Sequence, residues 1–161
     1  MRKVIILSDT HGCVDEKLRQ HLKWADEIWH AGDIGRWETY DRLCRIAPVR
    51  AVYGNADGWD LRAELHASLR FECEGIRVLM THIGGYPGHY GRWARGLIEE
   101  GKPDLFVCGH SHILRVMYDK RLGMMTMNPG AAGTYGWQKV RTLLRLTVEK
   151  GRVTGLEVVE M

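Results

Sequence analysis

The sequence has no long apolar run. Its longest stretches, such as Val4 to Leu7 with their neighbours, fall far short of the roughly 20 residues a helix needs to cross a bilayer. It has no paired cysteines either. Cys13, Cys44, Cys73 and Cys108 form no Cys-x-x-Cys unit and no small-scaffold framework. The N-terminus Met1–Leu7 opens as a signal peptide would, but Asp9 and His11 end the apolar stretch before an export signal is complete. Reduced thiols and a cytoplasmic protein are therefore expected. Charge of one sign is also scarce: 23 Lys and Arg against 20 Asp and Glu leave a net charge of +3. That is too mild for a membrane surface and disfavours nucleic acid as a partner. Low-complexity segments, repeats and linkers are lacking. What is present is 161 residues, 45% hydrophobic and 27% charged, the composition of one globular domain over 1–161 with a proper core.

Short apolar runs alternate with amphipathic stretches, the pattern of a layered α/β fold. Strands are expected at Lys3–Ser8, Glu27–His30, Val49–Tyr53 and Leu105–Cys108. A hairpin pairs Arg70–Glu72 with Arg77–Thr81 around Glu74-Gly75. Helices are expected at Asp15–Trp24, Glu38–Ile46 and Arg92–Glu100, the last stopped by Gly101-Lys102-Pro103. From Leu114 onward the chain is strand-rich, with strands at Leu114–Tyr118, Gly123–Met127, Val140–Val148 and Val153–Val159. A βαβα half followed by strands predicts two sheets packed face to face, each covered by helices outside.

Five polar clusters follow apolar runs: Ser8-Asp9-Thr10-His11-Gly12, His30-Ala31-Gly32-Asp33, Tyr53-Gly54-Asn55-Ala56-Asp57, Thr81-His82 and Cys108-Gly109-His110-Ser111-His112. Ligands of open α/β sheets bind beyond the carboxyl ends of strands. If the five strands share one sheet, the clusters converge on one crevice. Singly, each is a common turn signal or a chance pairing. Jointly, four imidazoles, two carboxylates and a carboxamide at strand ends have no evident structural purpose. Seven potential ligands are too many for one zinc and suit two ions. Mixed Asp, Asn and His donors favour manganese, iron, cobalt or zinc over a thiolate site. Two such ions clamp the attacking and leaving oxygens of a phosphoryl displacement. One carboxylate must then bridge them, and Asp33 is the natural bridge.

This order of motifs resembles the calcineurin-like metallophosphoesterases: D-x-H, G-D, G-N, a His, then G-H-x-H. Here they are Asp9-Thr10-His11, Gly32-Asp33, Gly54-Asn55, His82 and Gly109-His110-Ser111-His112. The compact length and Asn128-Pro129-Gly130 are similar to the small bacterial and archaeal phosphodiesterase branch. The resemblance implies a four-layer α/β/β/α sandwich of two mixed β-sheets flanked by helices. It implies one metal on Asp9, His11, Asp33 and His112, and a second on Asp33, Asn55, His82 and His110. Manganese is the first choice, with iron, cobalt, nickel or zinc as alternatives. Asp33, Asn55 and His82 are further implied in catalysis itself. The implied reaction is phosphodiester hydrolysis by a metal-bridging hydroxide, on a small, nucleotide-like phosphoester. Two alternatives share this framework. One is a phosphomonoesterase. The other is a non-catalytic protein-binding scaffold, as in eukaryotic retromer-associated relatives. An oligomer is compatible with either.

One position departs from the pattern. The wider superfamily places a His, the presumed proton donor, after the Asn, and the small branch often a Cys. Here that position is Ala56, which donates nothing. Either a preference for esters with acidic leaving groups or a proton taken from water or another residue is expected. Asp57 fits the family's acidic position. His30 reads as a core histidine beside the site rather than a ligand, and His89 as part of a Gly/Pro-rich loop near it. Trp37 and Trp59 are candidates to stack on a nucleobase, whereas Trp24, Trp29 and Trp93 read as packing. Cys13 and Cys108 read as buried strand-end residues, not nucleophiles. Gly130–Gly133 reads as a backbone turn behind the site.

Overall fold

The computed structural model describes residues 1–161. Its order is β1 (Arg2–Leu7), α1 (Glu16–Leu22), β2 (Glu27–His30), α2 (Trp37–Cys44), β3 (Val49–Ala51), α3 (Trp59–Glu64), β4 (Ser68–Cys73), β5 (Ile76–Thr81), α4 (Arg92–Gly101), β6 (Leu105–Val107), β7 (Leu114–Asp119), β8 (Met124–Pro129), β9 (Thr142–Glu149) and β10 (Arg152–Glu160). The first sheet has the order β10-β9-β1-β2-β3 and the second β4-β5-β6-β8-β7. In the first, β1, β2 and β3 are parallel, and the β9–β10 hairpin joins β1 antiparallel. In the second, β5, β6 and β8 are parallel, with β4 and β7 antiparallel at the edges.

Side-chain alternation explains the layers. In β1, Val4 and Ile6 point into the core between the sheets, while Ile5 and Leu7 meet Leu18 and Leu22 of α1 and Leu43 of α2. Both faces are buried, so the strand reads as one continuous apolar run. In β6, Leu105 and Val107 enter the core between the sheets, and Phe106 packs under Ala94 and Ile98 of α4. The result is a four-layer α/β/β/α sandwich. No helix is long and apolar enough to cross a membrane.

Three expectations are corrected. The five chemistry-bearing strands do not share a sheet: β1, β2 and β3 lie in the first, β5 and β6 in the second. β9 occupies one side of β1 and β3 ends the parallel set on the other, while β5 pairs with β4 and β6 in the second sheet. Helix α1 stops at Leu22 rather than reaching Trp24; Trp24 packs against the core as expected, with the cationic ends of Lys3 and Arg145 5.7 and 5.0 Å from its ring. Trp93 is half-exposed rather than packed. Helix α3 has no counterpart in the sequence reading. It is six residues long and buries only Leu61, too little for a 3.6-residue period to show.

Candidate metal centre

The carboxyl ends of β1, β2 and β3 face those of β5 and β6 across the seam between the sheets. Five of the seven candidate donors have left-handed backbones: Asp9 (φ 55°), His11 (44°), Asp33 (55°), His110 (71°) and His112 (61°). That conformation costs a non-glycine residue about 1–2 kcal/mol, a form of strain that clusters at functional sites. It is held by main-chain cross-links. The Asp9 amide donates to Gly32 O (2.9 Å), that of His11 to Asp33 O (3.0 Å) and that of Gly12 to Ile34 O (2.8 Å). The two rims are stitched together where the His110 amide donates to Asp9 Oδ2 at 3.1 Å. Gly109 makes this approach feasible, because a Cβ there would lie 2.0 Å from Ser8 Oγ.

Each carboxylate has one oxygen engaged and one presented to the cluster. Asp9 Oδ2 accepts from Ser8 Oγ (2.6 Å) as well as from the His110 amide. Its Oδ1 lies 3.2 Å from His112 Nε2, 3.7 Å from His11 Nε2 and 3.8 Å from His82 Nε2. Asp33 Oδ1 accepts from the Ala56 amide at 2.9 Å. Its Oδ2 faces both His82 Nε2 (3.2 Å) and His11 Nε2 (3.6 Å). The donors gather in two triads, Asp9–His11–His112 and Asp33–His82–His110, each with all donor atoms within 4.8 Å of one another. Asn55 joins the second through Oδ1, 3.0 Å from His110 Nδ1. All seven predicted residues therefore lie together.

These residues fit divalent cations. Asp9 Oδ1, His11 Nε2 and His82 Nε2 are buried and have no hydrogen-bond partner. An unpaired buried polar group costs about 1–3 kcal/mol, and three of them converge here. Donors about 2.1 Å from one ion and near a right angle apart lie roughly 3 Å from each other. Separations of 3.2–3.8 Å are a slightly open form of that geometry. The histidine tautomers also fit. His82 Nδ1 donates to Ala31 O at 2.7 Å, which leaves the Nε2 lone pair facing the carboxylates. Gln138 Nε2 donates to Gly133 O (3.0 Å) and Tyr135 O (2.7 Å), so its Oε1 faces His112 Nδ1 at 3.0 Å. His112 donates there and presents Nε2 to Asp9.

The electrostatics agree. Burial pushes the Asp33 carboxyl up, but His82, the Ala56 amide and His11 outweigh it and hold the pKa at about 2. Burial opposes protonation of His82, but Asp33 and Asp9 outweigh it and raise its pKa.

The surrounding residues hold the rims in place. His30 is buried and its pKa falls to about 3, chiefly through burial. Its Nδ1 accepts from the Gly32 amide (3.1 Å), so Nε2 carries the proton and donates to Thr10 Oγ1 (3.0 Å). Thr10 passes the chain on to Ile34 O (2.9 Å). His30 is thus a core histidine beneath the site. Asp57 is buried and accepts from the amides of Ile34 (3.2 Å), Gly35 (2.9 Å) and Gly54 (2.8 Å), tying the Gly-Asp loop to the Gly-Asn loop. The Gly130–Gly133 segment runs behind β1, with the Ala132 amide on Ser8 O (2.9 Å) and that of Gly133 on Asp9 O (3.1 Å). Cys108 is buried and its thiol is pushed up to about 11, chiefly by burial, an inert state. Cys13 is only half-buried. Trp59 is exposed and Trp37 packs on Tyr40, ring centroids 5.3 Å apart; no contact joins either to the donors. Sequence reasoning missed Gln138, Tyr135 (4.8 Å from the His11 ring) and Arg115. None lies in a motif, so no local signal marked them.

Comparison with known proteins agrees with this geometry. Residues 1–151 match the family model for the calcineurin-like phosphoesterase superfamily domain. A probable metallophosphoesterase of Mycoplasma pneumoniae is 30% identical over 97% of this chain and 96% of its own length. One from Methanothermobacter thermautotrophicus is 31% identical over 78% of this chain and 74% of its own. In fold, the chain is similar to Entamoeba histolytica Vps29 in complex with Zn²⁺, with a TM-score of 0.76, 18% identity, and 99% and 98% of the two chains covered. Buried cation-ready donors, left-handed strand ends and a family match across nearly the whole chain agree: the protein belongs to the calcineurin-like phosphoesterase superfamily.

Proposed function

We propose that this protein is a dimetal phosphodiesterase acting on a small, nucleotide-like phosphoester in the cytoplasm. The observation that carries the reading is the pair of triads with Asp33 Oδ2 facing histidines of both. Asp9, His11, Asp33 and His112 would hold one ion; Asp33, Asn55, His82 and His110 would hold the other. When bound, the two divalent cations, manganese before iron, cobalt, nickel or zinc, neutralise charge on the phosphoryl oxygens and lower the pKa of water. The chain's own part is orientation. Ser8 and the His110 amide occupy Asp9 Oδ2, the Ala56 amide occupies Asp33 Oδ1, and both remaining oxygens point inward. Ala31 O and Gln138 fix His82 and His112 in the tautomers that face them. The four cysteines form no disulfide, which suits a reducing compartment.

The test is hydrolysis of bis(p-nitrophenyl) phosphate and p-nitrophenyl phosphate with added Mn²⁺, Ni²⁺, Co²⁺ or Zn²⁺. The diester is turned over faster, and His82→Ala and Asn55→Ala each lower the rate by at least about 10²-fold. Faster turnover of the monoester would overturn the diester assignment. No turnover with any metal would favour a protein-binding scaffold. Ala56 supplies no side-chain proton to the leaving group. General acid catalysis is worth about 10²–10⁴-fold, so aryl diesters should outrun alkyl diesters by about that much. Equal rates on the two would show that another residue supplies the proton.

A further inference from the structure

Beside His110 a cleft of about 460 Å³ opens between the Gly84–Gly91 loop and the start of β7. Tyr86, His89, Ser111, Arg115 and Asn128 wall it, and none of its 12 lining residues is Asp or Glu. The Arg115 guanidinium lies over the Tyr86 ring, 3.6 Å from its centre, and Tyr86 in turn packs on His89 at 4.7 Å. Eight other arginines pair with carboxylates, among them Arg77 with Asp104 and Arg141 with Asp15. Arg115 is half-buried and has no such partner. A half-buried guanidinium held on an aromatic face, with its donors unspent, suits an oxyanion.

The neighbouring polar groups point the same way. Ser111 Oγ accepts from Asn128 Nδ2 (3.1 Å) and from the Ile113 amide (3.2 Å). Both of its acceptor positions are filled, so its O–H is left to donate. Asn128 spends its Nδ2 on Gly109 O (3.0 Å) and Ser111, and its Oδ1 accepts from the Gly130 amide (3.0 Å). The cleft therefore offers donors and no charged acceptor. His110 belongs both to this cleft and to the donor cluster, so the two adjoin and one molecule can reach both.

We propose that Arg115 and Ser111 form a subsite for a second phosphate group carried on one arm of the diester. The inference rests on the phosphodiesterase reading and narrows its substrate class to diesters with an additional anionic group. Arg115 is the specificity-determining residue and Tyr86 positions it.

The metal-loaded full-length protein is assayed on p-nitrophenyl propyl phosphate and on the same ester with a terminal phosphate on the propyl arm. The two share a leaving group and differ only in the second anion. Wild type should show at least a tenfold lower KM for the phosphate-armed ester. Arg115→Met should bring the ratio of the two KM values close to one, and Arg115→Lys should restore part of it. A wild type indifferent to the second phosphate, or an Arg115→Met protein that keeps the ratio, overturns the proposal. If wild type turns over neither ester, the phosphodiesterase reading fails. Calorimetric binding of the phosphate-armed ester to the same three proteins then decides the subsite independently. Binding lost in Arg115→Met supports it, and binding equal in all three, or absent, refutes it.

Discussion

Asp9, Asp33 and Asn55 sit on a rim that its own backbone cross-links, whereas His110 and His112 sit on a rim where main-chain bonds, such as the Gly109 amide to His82 O (2.9 Å), are supplemented by side chains that orient the imidazoles. On the first, the β1 and β2 ends exchange main-chain hydrogen bonds, Asp57 gathers three amides from two loops, and the Ala132–Gly133 strap closes the back. On the second, His112 is oriented by Gln138 and the segment before it by Asn128. The groups with the highest charge density are thus fixed by the fold, and the imidazoles are tuned by replaceable side chains. Tyr86, Ser111 and Arg115 also line the second rim. Changes in substrate preference can accumulate there at little cost to the frame.

The sharpest way to break this contrast is Asp57→Ala. It strands three amides at a nearly inaccessible position (3% exposed), and should cost about 3–5 kcal/mol of stability, read as a shift in the urea midpoint. A loss below about 1 kcal/mol would show that the first rim is not braced by its loops. Gln138→Ala probes the second rim. It should weaken metal affinity about 10–100-fold while thermal stability without added metal stays nearly constant. Gln138→Glu, which can still accept from His112 Nδ1 but loses both Nε2 bonds to Gly133 O and Tyr135 O, should fall between wild type and Gln138→Ala. The effect that is smallest at neutral pH concerns acid. His30 titrates at about 3 in the folded protein against an ordinary 6.5. The unfolded chain binds the extra proton in that window, so stability is complete above pH 6.5 and erodes as pH falls toward 3. His30→Gln should flatten that slope in melts between pH 4 and 7. An unchanged slope would place the acid sensitivity elsewhere; Asp33, at about 2 against an ordinary 3.8, acts only below that window.

The strands were legible because burial on both faces leaves little freedom. Val4–Leu7, Glu27–His30 and Leu105–Val107 carry unbroken apolar or fully buried stretches, and the donors follow directly where the chain turns back. The seven donors were legible as types in an order. Their left-handed conformations were not, since Asp and His, though enriched at positive φ, adopt it only in a minority of cases. That there are two sheets was legible, but which strand joins which was not, since β9 docks on β1 from more than 130 residues further along the chain. Gln138 and Arg115 act through contacts made only after folding, and in sequence they resemble any surface glutamine or arginine.

The placement of β1 between β2 and β9 also bears on biosynthesis. Until the β9–β10 hairpin has left the ribosome, the strand bearing Asp9 and His11 is an edge with one row of unpaired backbone groups on an Ile-Ile-Leu stretch. Such edges invite pairing with other chains. The C-terminal hairpin, which carries no donor of its own, is thus the piece that takes the growing chain out of danger.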